Sequence, residues 1–224
     1  MITITFDQAL IESQMLRLAK VPYAVQRALY PAISEVLRIA RSDLASQLVS
    51  DIPLPPRLIE KSIRLSQAIA SGQSVAGSLT VASKLIPLIN YDVDPQVVTA
   101  RKGMRSKTWP GFSYALRSGE RREREQLPGQ FRASLPFIAQ VRNSSGRRRN
   151  GAVYEAQAGA GHLGVYYRTA FGQLKEAYGP AVQYHATTPQ VEQMLMAGAE
   201  ENFARILPRI VDTALTAHGG NHDH

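Results

Sequence analysis

The stretch Ile63-Arg64-Leu65-Ser66-Gln67-Ala68-Ile69 marks a change of period. Upstream, apolar residues recur every three or four positions; here they alternate. Ile63, Leu65, Gln67 and Ile69 fall on one face of a strand, with Gln67 the imperfect member, and Arg64, Ser66 and Ala68 on the other. Ser71-Gly72-Gln73-Ser74 reads as a turn, and Val75 to Val81 as the returning strand. Before this hairpin, Pro22 suits the first turn of a helix. Its apolar positions are Val25, Ala28, Leu29, Ala32, Ile33, Val36, Leu37, Ala40, Leu44 and Leu48, which give one buried face. Pro31 lies inside the pattern and is expected to kink it or reset its start. Asp51-Ile52-Pro53-Leu54-Pro55-Pro56 ends the helix, because prolines and the residues before them resist the helical state. A short helical turn near Arg57–Lys61 then leads into the strand. A long helix feeding an antiparallel hairpin is the start of an α+β fold.

Working outward, Ile2, Ile4 and Phe6 alternate with Thr3 and Thr5, as in a short edge strand. Asp7 is placed to cap a helix carrying Ala9, Leu10, Met15, Leu16 and Leu18. Leu85 to Val93 reads as another strand, at an edge or bulge because of Pro87. Phe137 to Val141, Ala152 to Tyr154 and Leu163 to Arg168 complete an antiparallel sheet. A final helix runs from about Pro189 to Ala217, with Thr188 as cap and Gly219-Gly220 as stop. Val191, Met194, Leu195, Ala199, Phe203, Ile206, Leu207, Ile210, Val211 and Leu215 form its apolar face, weakened at Gly198 and open to a kink at Pro208. The expectation is one α+β domain over residues 1–217, an antiparallel sheet flanked by a long N-terminal and a long C-terminal helix. Residues 218–224 form a flexible His-rich tail.

With no cysteine in 224 residues, disulfides, thiolate catalysis and zinc–thiolate sites are excluded. No run approaches the roughly 18 apolar residues of a membrane span. The start, Met1 to Asp7, lacks the basic and apolar regions of a secretory signal. These features predict a soluble protein of a reducing compartment, or one exported without a signal.

The charge is concentrated. Residues 101–150 hold 13 basic and 3 acidic side chains, while the rest of the chain holds 13 basic and 15 acidic. Such asymmetry points to a polyanion or an acidic protein surface as partner, or to a solvated loop. Eleven of those 13 cations are arginine, the residue suited to bidentate contact with phosphate or carboxylate. Within this region, residues 101–135 carry Gly103, Gly111, Gly119, Gly129, Pro110 and Pro128 and no sustained periodicity. Trp109, Phe112 and Tyr114 lie between two basic groups. They suit an extended arginine-rich arm ordered against a neighbouring subunit, a groove that stacks bases, or a plain loop with aromatics tucked beneath it. The arm is favoured over the groove because aromatics and charges come in separate clusters.

Catalytic motifs are lacking. His162 and His185 are the only histidines before the tail, and no serine sits in a Gly-x-Ser-x-Gly elbow. A phosphate-cradling loop is also absent. Gly159, Gly161 and Gly164 match a dinucleotide-fingerprint spacing but sit between two expected strands, so they read as a hairpin turn holding His162. Asp92 and Asp94 beside Pro95 read as a loop cap rather than a metal pair. No catalytic residue, cofactor or metal is expected; the histidines of the tail, His218, His222 and His224, would bind a metal only adventitiously.

The run Leu174-Lys175-Glu176-Ala177-Tyr178-Gly179-Pro180-Ala181-Val182 follows Gly164-Val165-Tyr166-Tyr167-Arg168-Thr169, and Arg148 to Tyr154 comes earlier. This order resembles the prophage minor tail protein Z family of tailed bacteriophages, the lambda-like tail-completion proteins. Val153 stands where that family often has Phe, and Ala177 where it often has Leu. The Ala/Arg-rich helix and Pro55 to Ile63 fit the same layout, so the resemblance spans roughly residues 20–185; the insertion at 101–135 matches least. It implies a virion structural protein of the neck, present in the host cytoplasm during assembly. Its implied partners are the tail-terminator protein, head-closure or connector proteins and its own copies in a ring, with a hexamer expected and genomic DNA a further candidate in the lumen; no membrane is implied. Arg121, Arg122, Arg124, Arg147, Arg148 and Arg149 are the candidate contact residues, with Trp109, Phe112 and Tyr114 as anchors. Tyr178, Gly179 and Pro180 are expected to form a tight turn, closing the core or docking a neighbour. The alternative is a sequence-independent DNA-binding protein of mobile-element origin; a cryptic nuclease is a third reading.

Overall fold

A computed structural model describes residues 2–6, 8–18, 24–71, 74–96, 98, 110–124, 127, 135–141 and 162–219. The expected strand Ala152–Tyr154, the cap at Asp7, the proline at 22 and the end of the tail lie outside them. The fold is α+β, as the change of period predicts. Where one domain was expected, the chain divides into two compact units. Unit 1 takes Met1–Ser50, Pro56–Ser83 and Val182–His224; unit 2 takes Asp51–Pro55 and Lys84–Ala181. The single sheet expected is likewise four small antiparallel sheets among the described residues.

Unit 1 is built from long amphipathic elements. Strand β1 (Ile2–Thr5) and helix α1 (Gln8–Leu18) precede α2 (Ala24–Asp51). Helix α2 runs through Pro31 without a break. Its positions Ala28, Leu29, Ala32, Ile33, Val36, Leu37, Ala40, Leu44 and Leu48 are all buried, as the spacing requires. Full burial of each Leu, Ile or Val among them contributes about 1.5–3 kcal/mol relative to exposure. Helix α3 (Pro56–Ser62) leads straight into β2 (Ile63–Ser71), and β3 (Ser74–Val81) returns. The sheet order is β1-β3-β2, so β1 is an edge strand. A register shift between Ser66 and Ile69 interrupts the β2–β3 ladder near the imperfect Gln67. Arg41 ties the layers together: its guanidinium donates to the carbonyls of Ile63 at 3.1 Å and Glu60 at 3.2 Å. At Gly77 a Cβ would sit 2.6 Å from a Leu37 methyl, so a larger residue would force the Leu37 side chain to move.

Helices α4 (Val182–Ala186) and α5 (Pro189–Gly219) close unit 1. The expected apolar face of α5 is buried at Val191, Leu195, Ala199, Phe203, Ile206, Leu207 and Val211. Phe203 stacks on Phe6 with ring centroids 4.4 Å apart. Arg17–Asp212 at 2.6 Å links α1 to α5, and Arg209–Glu35 at 3.0 Å links α5 to α2.

Unit 2 is made of short strands. The expected strand Leu85–Val93 is broken into β4 (Ile86–Pro87), a 3-10 turn (Leu88–Asn90) and β5 (Asp92–Asp94). Pro87 has no N–H to donate to a ladder, and Leu88, Ile89 and Tyr91 are all buried, a pattern alternation cannot supply. Strands β6 (Ser113–Arg117) and β7 (Glu120–Glu123) form a hairpin whose sheet order is β5-β6-β7. Part of the expected arm is therefore ordered sheet. The charged run Glu120-Arg121-Arg122-Glu123 has no apolar alternation, which hides its strand from a hydropathy pattern. Strands β8 (Phe137–Val141) and β9 (His162–Arg168) pair as expected, and β10 (Leu174–Glu176) adds to β9. Finally β11 (Tyr178–Gly179) pairs with β4. Among the described residues no helix is long and apolar enough to cross a membrane.

Candidate interaction site

Three sequence-predicted arginines come together on the β6–β7 hairpin, but not as a free basic patch. Arg121 donates to the Ser113 hydroxyl at 2.8 Å and forms an ion pair with Asp92. Arg122 meets Glu120 at 3.4 Å and lies opposite Tyr114 in the ladder. Arg124 is only 5% exposed, and its guanidinium donates to the Pro110 carbonyl at 3.1 Å. Its backbone N–H donates to the Phe112 carbonyl, also at 3.1 Å, fastening the hairpin base. The cluster expected to reach a partner is thus largely engaged within unit 2. Arg147, Arg148 and Arg149, like Trp109, lie outside the described residues.

The aromatic anchors are corrected in the same way. Phe112 is 2% exposed and Tyr114 is fully buried, so both are core residues of unit 2. The reading that tucks aromatics beneath the loop holds for this pair. Burial raises the Tyr114 phenol above its usual range, while the Arg122 charge opposes the shift; the contact falls short of a well-formed hydrogen bond. Asp92 and Asp94 stand on β5, with Asp92 neutralised by Arg121. Among the described residues no group of three or more His, Asp or Glu side chains is arranged to hold a metal.

Tyr178-Gly179-Pro180 is not a turn. Tyr178 pairs with Pro87 and Gly179 with Ile86 as a short ladder. Glycine is required at 179 by close approach: a Cβ there would sit 2.5 Å from the ring of Tyr91. That ring is buried, and its hydroxyl donates to the Pro180 carbonyl at 2.5 Å. Burial raises the Tyr91 pKa well above its ordinary value of 10.0. The segment therefore closes the core of unit 2.

Beside it, His162 opens β9 rather than sitting in a turn. Its Nε2 lies 2.6 Å from Glu176, whose other carboxylate oxygen accepts from the Tyr178 hydroxyl at 3.1 Å. That hydrogen bond, followed by burial and the carboxylate charge, raises the Tyr178 pKa. A His–Glu–Tyr chain of this kind cross-links β9, β10 and β11.

One residue missed in the sequence is Phe171. It lies at the tip of the β9–β10 hairpin and is 91% exposed. The tip is fixed: Gly172 N–H donates to the Thr169 carbonyl at 2.8 Å, and Thr169 N–H to the Gln173 carbonyl at 2.9 Å. Gly172 takes a φ of +74°, a conformation costly for other residues. An aromatic at a turn position, where polar residues normally sit, was the available signal. Comparison with family models, with curated proteins and with solved structures gave no match.

Proposed function

We propose that this chain is a structural virion protein of a tailed phage, acting in tail completion and head–tail joining by binding rather than catalysis. The observation that carries the reading is the signature spanning Gly164–Thr169 and Leu174–Val182. Its strands β9, β10 and β11 belong to one unit, with β9 and β10 hydrogen-bonded to each other. The same signature contains Gly179, whose missing side chain admits Tyr91. Gly164 to Tyr167, Ala177, Gly179, Ala181 and Val182 of the motif are buried, which suits a structural protein whose shape is its function.

In this reading the protein sits in the neck of the virion and in the host cytoplasm during assembly. It joins tail-terminator and head-closure proteins and stands in a ring of its own copies, where each subunit offers two different surfaces to its neighbours. The DNA-binding alternative is less favoured, because Arg121, Arg122 and Arg124 already meet acceptors within the chain.

Electron microscopy of a lysate from a phage with an early stop codon in this gene tests the proposal. Separate DNA-filled heads and free tails of normal length are expected. Intact virions in normal numbers would overturn it.

A further inference from the structure

We infer that the β9–β10 hairpin tip is a self-association knob: Phe171 of one copy seats on the outer face of α5 around Gly198 of a second copy. The knob is pre-ordered. Besides the two backbone hydrogen bonds at the tip, Gln173 N–H donates to the Thr169 hydroxyl at 3.2 Å and Arg168 to the Gly172 carbonyl at 3.2 Å. A phenylalanine carried on a backbone fixed in this way loses less entropy on docking than one on an unbraced loop.

Charge selects the partner surface. From Val165 through Lys175 there is no carboxylate, and Arg168 and Lys175 flank the ring, both exposed. From Val182 through Ala204 there is no lysine or arginine, while Glu192, Glu200 and Glu201 are exposed. That acidic stretch also carries apolar surface, with Tyr184 at 65% and Met194 at 38% exposure. Met194, Gly198 and Glu201 follow one another at helical spacing on one face. A Cβ at Gly198 would meet nothing within 4 Å, so the face is open there. An aromatic ring laid over Gly198 touches Met194 on one side and brings its flanking cations to Glu201 on the other. Knob and seat are different surfaces of the same chain, so every copy offers one of each to its neighbours. This deepens the ring proposed above and rests on it, but it is tested on the purified chain alone, separately from head–tail joining.

The experiment is sedimentation of the full chain over a concentration series, with two exposed variants, Phe171→Asp and Gly198→Gln. Cooperative thermal melting at or above the wild-type temperature establishes that both fold, since removing a mid-helix glycine favours α5. The wild type should associate, less so at high salt. Each variant alone should weaken association about tenfold or more, the effect of losing an anchor. Mixed together they should form dimers and nothing larger, because one retains the seat and the other the knob. A wild type that stays monomeric overturns the inference. So does a Phe171→Asp variant that associates as the wild type does, or a mixture that fails to dimerise.

Discussion

Unit 2 carries two hairpins that look alike in outline and differ in what they do with their aromatics. Each turns at a glycine with positive φ, Gly119 at +81° and Gly172 at +74°. The β6–β7 hairpin faces its aromatics inward and pairs its arginines with its own acceptors. The β9–β10 hairpin holds Phe171 outward on a turn braced by hydrogen bonds. Arginines and aromatics side by side in sequence do not make an interaction surface; what matters is which of them the chain has already used.

The sharpest way to break this contrast is to truncate one aromatic from each hairpin. Tyr114→Ala should cost about 3–5 kcal/mol of stability, the usual cost of emptying a buried aromatic site. Phe171→Ala should fall within about 0.5 kcal/mol of wild type, as exposed substitutions do. Denaturant unfolding followed by circular dichroism measures both, and equal costs would erase the distinction.

Gly179→Ala comes next, at about 1–3 kcal/mol, because the added methyl must displace the Tyr91 ring. The same ring gives a pH test. Its pKa is raised by burial, so the stability it contributes is present in full below 10.0 and is lost as pH rises through the folded value. Ultraviolet titration should show buried tyrosines, Tyr91 and Tyr114 among them, resisting ionisation, and Tyr91→Phe should reduce the alkaline loss of stability.

The smallest effect belongs to Arg121 and Asp92. Both are substantially exposed, so a double-mutant cycle should give a coupling of about 0.2–1 kcal/mol that shrinks with salt. A coupling of several kcal/mol would mean that the β6–β7 hairpin depends on this pair rather than on its buried aromatics.

The same contrast explains what the sequence could reveal. The α2 and α5 faces were legible because their periodicity is dictated by burial on one side only. Strand β2 followed from alternation and β3 from the turn before it, while β8 and β9 were legible as short apolar runs, four successive residues of β9 being buried. Strand β7 was illegible because Glu120 to Glu123 are all exposed and carry no hydropathy signal. The Leu85–Val93 run was misread because burial of Leu88, Ile89 and Tyr91 imitates a strand while Pro87 and a 3-10 turn break it. The roles of Phe112, Tyr114 and Arg124 depended on which face of a short hairpin meets the core, which residue types alone do not specify. Gly179 was singled out for a turn, whereas it is needed for close approach to Tyr91, which lies 88 positions away in the chain.

The most direct test of the functional proposal is complementation in vitro. Purified chain is added to a lysate of a phage carrying this gene with an early stop codon, and plaque-forming titre is counted. The account predicts that titre rises with added protein as separated heads and tails join. A titre that stays flat, with heads and tails still apart, would contradict it.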